Sequence, residues 1–327
     1  MLAIFCSCIL FFGADSSISV VDAAVSASDT VRMLFGGDVT LAYRFEELVG
    51  DNFENVFVHW NLPQKPDLFM VNLENPITTT TEKVEKEWNF KMPTKYISVL
   101  QQGGINAVTC ANNHVFDYGV DGILETMSVL DSAGIVRVGI GKTLIEARTP
   151  KIISIKGKRI ALLGYAGWSF PATNTRPGVA PRNVEYVVED VRRIKENADI
   201  VIVNFHWGEE LAAFPSEGQK VLARRTIDAG ADAIVGHHPH VLQGIELYKG
   251  KPIAYSLGNF IFGGNERNTY ETALLSLELV NDTVSVSLIP VAVKKYQPSI
   301  ATGEVKDRIL KNVQQRSQQF RKTIFFK

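Results

Sequence analysis

The sequence RMLFGGD at residues 32–38 sets the pattern of this chain, because a short apolar run stops there at an acidic residue. The sequence DLFMVNLE at residues 67–74 repeats the pattern and ends at Glu74. Short apolar runs between polar residues are typical of strands that are buried on both faces of a sheet. Further runs of this kind cover residues 106–111, 159–165, 199–205 and 231–235. These runs predict a sheet whose strands end at polar side chains.

Helical segments alternate with the predicted strands. Residues 121–133, 184–197 and 217–229 carry apolar side chains at helical spacing. Because strands and helices alternate along the chain, we predict a layered α/β domain.

The last part of the chain predicts antiparallel strands and then a helix. Residues 253–256, 273–280 and 283–290 read as consecutive strands, and the last two flank Asn281-Asp282, which is a hairpin signal. A helix is predicted from about Gly303. We therefore expect the domain to cover residues 28–295 and a helical tail to cover residues 296–327.

Length and composition limit the classes of function. The chain has 327 residues, of which 46% are hydrophobic and 21% are charged, and this composition excludes disorder. Its 34 Lys and Arg residues nearly balance 35 Asp and Glu residues, so we expect no nucleic-acid partner. Two of the three cysteines fall in the first ten residues. This cysteine content excludes a disulfide framework and a cysteine-rich zinc site.

Residues 1–27 predict a signal peptide or an N-terminal membrane anchor. Residues 2–12 are largely apolar, and the small residues at 25–27 resemble a cleavage site. The apolar run is short for a membrane span, which needs about 20 residues. No basic residue precedes the run, so an uncleaved anchor and a wrongly assigned start stay open. We expect an extracytoplasmic protein, either secreted or membrane-anchored at the cell surface.

Five of the six histidines fall in three short segments, and each segment follows a predicted strand. The segments cover residues 112–114, 206–208 and 237–240. Ligands bind beyond the carboxyl ends of strands in open α/β sheets, so we expect these histidines to share an edge with Asp38 and Glu74. A single histidine at such a position is usually a capping or packing residue, but a cluster of imidazoles and carboxylates needs a cation. Mixed nitrogen and oxygen donors favour zinc, manganese or iron.

The pair His238 and His240 is expected to lie on an extended segment. Alternate residues of an extended chain face the same side, so both imidazoles would point at one cation.

Six ordered segments carry a resemblance to a known family. They are GGDVTLA (36–42), VNLENPIT (71–78), ANNHVFDYGVDGILET (111–126), FHWGEE (205–210), GHHPHVLQGIE (236–246) and AYSLGNFIFG (254–263). These segments resemble the CapA family of capsule or poly-γ-glutamate synthesis proteins, also called PgsA. That family is similar to the calcineurin-like metallophosphoesterases. The resemblance implies a sandwich of two mixed β-sheets flanked by α-helices, and a role in making, exporting or anchoring a cell-surface polymer.

The similarity to metallophosphoesterases also implies roles for single residues. It implies two divalent cations bridged by Glu74. The implied metal ligands are Asp38, Glu74, Asn113, His206, His238 and His240. It implies that His114 is the acid/base group, and we expect Asp117 to orient the ring of His114. Thr40 stands where phosphoesterases have a further ligand, and Glu74 is longer than the usual Asp. One metal subsite is therefore expected to be weak, empty or completed by His237.

Four further side chains are expected to contact substrate, and they are Lys91, Asn112, His237 and Asn259. For Lys91 a plain surface position is an equal alternative. The expected partners are an anionic polymer or phosphoester substrate and membrane-bound proteins of capsule synthesis or export. Three functions stay open at this point: a metal-dependent phosphoesterase-like hydrolase, a non-catalytic polymer-binding or anchoring component, and a γ-glutamyl amide hydrolase or transferase.

Overall fold

Two mixed β-sheets pack face to face in the computed structural model, which describes residues 29–167 and 170–320. The predicted leader at residues 1–27 lies outside the described residues. Among the described residues, no helix combines the length and the apolar character that crossing a bilayer requires.

Sixteen strands are described and are numbered along the chain. They are β1 (Val31–Thr40), β2 (Leu68–Leu73), β3 (Ala107–Thr109), β4 (Val136–Val138), β5 (Ile140–Gly141), β6 (Lys151–Ile155), β7 (Lys158–Ala166), β8 (Gly178–Val179), β9 (Ile200–His206), β10 (Ala233–His237), β11 (Ile245–Tyr248), β12 (Lys251–Ala254), β13 (Asn259–Phe262), β14 (Thr269–Val280), β15 (Thr283–Lys294) and β16 (Gln297–Ile300).

Seven α-helices are described alongside them. They are α1 (Arg44–Val49), α2 (Ile97–Gln102), α3 (Gly119–Ser132), α4 (Leu144–Arg148), α5 (Val184–Lys195), α6 (Glu217–Asp228) and α7 (Gly303–Ser317). Short 3-10 helices cover Gly50–Asn55 and Thr94–Tyr96.

The two large sheets each combine parallel and antiparallel pairs. The first has the order β16-β15-β14-β1-β2-β3-β4, with β13 pairing the second half of β1. The second has the order β11-β12-β10-β9-β7-β6, and β5 and β8 form a small third sheet. The predicted sandwich of two mixed β-sheets flanked by α-helices is therefore confirmed.

Alternate residues of each central strand enter different core layers. Met33 and Phe35 of β1 pack between the two sheets, whereas Leu34 packs in the outer layer with helices α1, α2 and α3. On β9, Ile202 faces the layer between the sheets and Val203 faces the layer that α5 and α6 cover. Both faces of these strands are buried, which explains why apolar residues follow one another along most of each strand.

The predicted hairpin is confirmed, and its strands are longer than the sequence indicates. Asn281 and Asp282 have φ angles of 45° and 66°, and Val280 pairs directly with Thr283. Two positive φ angles in a two-residue loop are typical of the turn that matches the twist of the two strands.

The segment after residue 296 packs into the domain, so the expected boundary at 295/296 needs correction. Strand β16 pairs with β15, and α7 buries Ile309, Leu310 and Val313 in the layer between the sheets. The expected helix does begin at Gly303. Apolar side chains on one face of α7 make the helix a part of the core rather than a tail.

Strand register aligns the polar residues at one edge of the sandwich. Asp38 of β1 lies opposite Asn72 of β2 and Asn259 of β13. In the second sheet, His206 of β9 lies opposite His237 of β10. The carboxyl ends of the parallel strands in both sheets thus bring acidic, amide and imidazole side chains to the same edge.

Candidate metal centre

Two buried carboxylates lie at the centre of the polar edge. Glu74 Oε1 lies 3.5 Å from His206 Nε2 and 3.8 Å from His240 Nε2. Asp38 Oδ2 lies 3.1 Å from His240 Nδ1. Both acids are fully buried, so their charges depend on these neighbours for stabilisation.

The ligand atoms form two groups that share Glu74. Asp38, Glu74 and His206 offer one atom each within 4.8 Å of one another, and Glu74, His238 and His240 do the same. Asn113 Oδ1 joins the first group, 2.7 Å from His206 Nε2. The structure thus brings the six expected ligand residues together, and their coordination of a cation stays a prediction.

The environment of the Glu74 carboxylate indicates whether a cation fits this centre. Its Oε1 atom is buried and accepts no hydrogen bond within the described structure. Leaving a buried acceptor unpaired costs about 1–3 kcal/mol, and more when the group is charged. Burial raises the pKa of Glu74 well above its usual value, and the nearby charges of Asp38 and Glu210 add to this effect. A cation beside Oε1 would remove both penalties, so the donor set fits a divalent metal.

The imidazoles of His237 and His240 stabilise the second acid. Burial alone would raise the pKa of Asp38, but contacts with these two rings hold the pKa well below its usual value. Burial would likewise lower the pKa of His240, yet Glu74 and Asp38 raise it to about 9. The imidazole of His240 thus favours the charged forms of both acids.

The segment that carries His238 and His240 is not extended, and this expectation was wrong. The φ angles of the two residues are 95° and 56°, so the backbone turns at each of them. Positive φ costs a residue other than glycine about 1–2 kcal/mol, and such strain is concentrated at functional sites. The two ring centroids still lie 5.9 Å apart, because the turn replaces strand alternation in bringing the rings to the same side.

Asn72 is a central residue that sequence reasoning missed. Its Nδ2 group donates to Asp38 Oδ1 at 2.8 Å and to Glu74 Oε2 at 3.2 Å. Its Oδ1 atom accepts from Asn112 Nδ2 at 3.1 Å. The available signal was a polar residue inside the apolar run of β2, two positions before Glu74, where strand alternation places both side chains on the same face.

His114 and Asp117 form the expected pair. His114 Nδ1 lies 2.8 Å from Asp117 Oδ2. Since a carboxylate only accepts, Nδ1 carries the hydrogen and Nε2 is left for other partners. Burial lowers the pKa of His114, while Asp117 partly opposes this effect. Phe90 packs on the imidazole with its ring centroid 4.1 Å away.

Lys86 connects this pair to the polar loop at residues 78–87. Its Nζ atom donates to Asp117 Oδ1 at 2.6 Å and to the backbone oxygen of Asn113 at 2.9 Å. No sequence signal identified Lys86, because it lies in a charged loop without periodicity.

Two of the residues expected to contact substrate are buried beside the donor residues. Asn112 donates to Asn72 and to the Leu73 carbonyl, and its Oδ1 accepts from the backbone of His114. All its polar capacity is thus used to shape the loop that carries Asn113. His237 is buried beneath Asp38, with its Nδ1 3.4 Å from Asp38 Oδ1.

The residue in place of the missing phosphoesterase ligand faces inward. Thr40 is buried and its Oγ1 donates to the Glu74 carbonyl at 3.2 Å. Its hydroxyl therefore supports the backbone of Glu74.

A cavity of about 410 Å³ opens beside the centre. His114, His240 and Asn259 lie in its wall, and Asn259 Oδ1 lies 2.8 Å from His240 Nδ1. Lys91 lines a different cavity, where its Nζ donates to the Thr80 carbonyl and lies over the ring of Tyr118. Asn259 thus lies beside the donor residues and Lys91 lies in a separate cavity, and a substrate contact stays a prediction for both.

Comparisons with known proteins lead to the same family as the six ordered motifs. Residues 32–264 match the family described as "Bacterial capsule synthesis protein PGA_cap". The chain is 34% identical to the PGA biosynthesis protein CapA of Bacillus subtilis (strain 168), over 84% of this chain and 74% of that protein. It is 31% identical to the capsule biosynthesis protein CapA of Bacillus anthracis, over 88% and 73%.

A solved structure is similar at a much greater distance. The 5'-nucleotidase from Candida albicans SC5314 aligns with 79% of this chain and 51% of its own, with 11% identity and a TM-score of 0.44. That distance is too great to transfer a residue's role. The match to the family over most of the chain and the identity to its curated relatives decide the assignment. The chain belongs to the bacterial capsule synthesis protein family PGA_cap.

Proposed function

We propose that this protein is a metal-dependent hydrolase with phosphoesterase-like chemistry that acts in the synthesis or handling of a capsule polymer. The observation that carries the proposal is that two groups of donor residues share Glu74, whose buried Oε1 atom accepts no hydrogen bond within the described structure. Nitrogen and oxygen donors in this mixture suit manganese, zinc or iron. The two donor groups share Glu74, so these residues could hold two cations.

Bound divalent cations would supply Lewis acidity to a phosphoryl group and a nucleophile at neutral pH. The protein's own contribution is orientation and proton transfer. Asp117 accepts the Nδ1 hydrogen of His114, so Nε2 is the ring atom that would take up a proton from water and then pass it to the leaving oxygen. Asn72 holds the two carboxylates at fixed positions, which prepares the donors before a cation arrives.

The biological setting is proposed from the family and the leader. The relative from Bacillus subtilis is named a PGA biosynthesis protein, and poly-γ-glutamate is an anionic polymer. The apolar residues 2–12 support export or anchoring at the cell surface. We therefore place the proposed activity outside the cytoplasm, near membrane-bound proteins that make or export the polymer.

Hydrolysis of an aryl phosphate tests the reaction class. The purified chain should hydrolyse the ester when manganese is present and lose this activity in a chelator. His206→Ala should lower kcat/KM by about 100-fold or more, because a metal donor is removed. His59→Ala is the matched control, because His59 is the exposed histidine outside the cluster, and its activity should stay within about two-fold of wild type.

Two results would contradict the proposed reaction. One is an equal loss in His206→Ala and His59→Ala. The other is hydrolysis of γ-glutamyl oligomers, but of no phosphoester, in the same metal-loaded preparation, because that would make the protein an amide hydrolase.

A further inference from the structure

A cavity of about 750 Å³ lies away from the metal donors, between the start of α6 and the residues that lead into α5. Arg182 and Val184 form its α5 side, and Val221 and Leu222 form part of its α6 side. Phe214 and Val221 are 57% and 54% exposed. Exposed apolar side chains that meet in one concave surface are typical of a binding site, because covering them removes apolar area from water.

The last residue that the structure describes, Phe320, lies beside this cavity. Its ring stacks on Tyr255 at a centroid distance of 5.2 Å, and Lys220 Nζ lies 5.9 Å from the centre of the same ring. This Nζ atom donates to Glu217 Oε1 at 2.8 Å, and Glu217 belongs to the cavity wall. Two short contacts therefore separate Phe320 from the wall.

The sequence that follows Phe320 is RKTIFFK, at residues 321–327. An extended residue spans about 3.3 Å, so these seven residues can reach about 23 Å, well beyond the two contacts that separate Phe320 from the wall. Ile324, Phe325 and Phe326 are apolar, as is the exposed part of the wall. The segment thus has both the reach and the side chains to cover the cavity.

The charges of the segment and of the wall agree with this arrangement. Arg321 and Lys322 precede the apolar residues, and the wall carries the acids Glu209 and Glu217 near the start of α6. Arg225, a wall residue of the opposite sign, lies eight residues beyond Glu217 on α6, which is about 12 Å along the helix axis. The basic pair therefore meets the acidic end of the cavity first.

A buried donor in the same wall favours a peptide over a purely apolar ligand. Gln219 is 6% exposed, and its Oε1 atom accepts from the Ser216 amide at 3.0 Å. Its Nε2 atom is buried and has no hydrogen-bond partner within the described residues. Each backbone carbonyl of a docked segment is an acceptor, which a hydrocarbon lacks.

The loop at residues 207–216 connects this cavity to the one beside the metal centre. Ala212 and Phe214 line the first cavity, whereas Glu210 and Leu211 line the second. We infer that residues 321–327 dock in the 750 Å³ cavity and thereby hold this loop in place beside the metal centre. The inference does not depend on the proposed reaction.

A peptide added to the full chain tests the docking. The double variant Phe325→Ser/Phe326→Ser weakens the chain's own segment, so a fluorescein-labelled peptide of sequence RKTIFFK should bind this variant at least about ten-fold more tightly than wild type. In wild type the attached segment competes at a high effective concentration. The same peptide with both phenylalanines replaced by serine should bind the double variant at least about ten-fold more weakly. Fluorescence anisotropy measures these affinities.

A charge placed in the apolar wall tests where the peptide binds. Val221→Asp, added to the double variant, should weaken binding of the RKTIFFK peptide about ten-fold or more. Ile145→Asp is the matched control, because Ile145 is 77% exposed on α4 and does not line this cavity, and it should leave peptide binding unchanged. Circular dichroism should verify that every variant is folded.

Hydrogen exchange measures the effect on the loop. The amides of residues 207–216 should exchange at least about three-fold faster in the double variant than in wild type, and the added RKTIFFK peptide should restore the slower rate. Equal affinity of the peptide for wild type and the double variant would overturn the inference. Equal effects of Val221→Asp and Ile145→Asp, or unchanged exchange in the loop, would also overturn it.

Discussion

Asn72 and Lys86 show that the candidate site depends on residues beyond its donors. Asn72 fixes the relative position of the two carboxylates, and Lys86 fixes Asp117 and the backbone of Asn113. Neither is a group that would hold a cation. Each restricts the movement of a residue that would hold a cation. Supporting contacts of this kind commonly change metal affinity or activity by about 10–100-fold.

Replacing Lys86 tests its positioning role. Lys86→Met keeps an unbranched stem but removes the charge that holds Asp117, so kcat should fall by about ten-fold while KM changes little. Lys86→Arg should restore part of the rate. The measurement is steady-state kinetics on an aryl phosphate, with Lys83→Met as the control on the same loop. A rise in KM at unchanged kcat would contradict a positioning role.

The donor residues could be predicted from sequence, whereas their supporting residues could not. Asp38, Glu74 and His206 each follow an apolar run, and the edge rule for parallel strands then brings them together. Lys86 lies in a loop without periodicity, so only the folded chain reveals its contact. For His240 the prediction of an extended segment failed, because His238 and His240 both have positive φ angles.

Strand β1 needs the glycine before Asp38 because β13 approaches it closely. A Cβ on Gly37 would lie 1.9 Å from the Gly258 carbonyl oxygen, and the Asp38 amide donates to that oxygen at 2.9 Å. This approach places Asn259 beside His240. Backbone packing thus requires a glycine at position 37, next to the acid that the site needs at position 38.

Gly37→Ala tests the close approach. The added methyl group must push β13 away, so the free energy of unfolding should fall by about 2 kcal/mol or more. Gly218→Ala is the matched control, since a Cβ there would meet only Ser216 Oγ at 3.8 Å, and it should change stability by less than about 1 kcal/mol. Urea denaturation measures both. Equal stability of the two variants would contradict the packing argument.

The loop at residues 78–87 is tied to α3 through Glu125. This carboxylate accepts hydrogen bonds from the Thr78 hydroxyl and from the amide and hydroxyl of Thr79. Burial would raise the pKa of Glu125, but these bonds outweigh it and lower the pKa below its usual value. The bonds therefore stabilise the folded state above the pKa of the unfolded chain.

Acidification should remove this contribution. At neutral pH, Glu125→Gln should be less stable than wild type, because the amide replaces a charged acceptor. As the pH falls below about 4.3 and then through the lower pKa of the folded state, wild-type Glu125 gains a proton and the difference should shrink. Urea denaturation at a series of pH values measures the difference. A stability difference between wild type and Glu125→Gln that grows on acidification would contradict this prediction.

The layered arrangement could be predicted because each central strand is apolar on both faces, and the turn at Asn281 could be predicted from its residue pair. The short strands β4, β5 and β8 could not, because two or three residues carry no period. The role of the segment after residue 296 was also missed, because the many charged residues of α7 obscure the apolar face that packs in the core. The family model matches residues 32–264, and the six motifs that indicated this family from the sequence alone lie within that range.

Both sheets contribute donors to the proposed centre, so metal binding should join the two halves of the sandwich. In one sheet β1 carries Asp38 and Glu74 directly follows β2, and in the other sheet β9 carries His206. Glu74 belongs to both donor groups, so its loss should affect every bound cation rather than one of them.

Calorimetric titration of the metal-free chain with manganese is the most direct test of this centre. We predict two bound cations per wild-type chain, the same number for His59→Ala, and weak or no binding for Glu74→Ala. Absence of binding to wild type, or an unchanged stoichiometry and affinity in Glu74→Ala, would contradict the account.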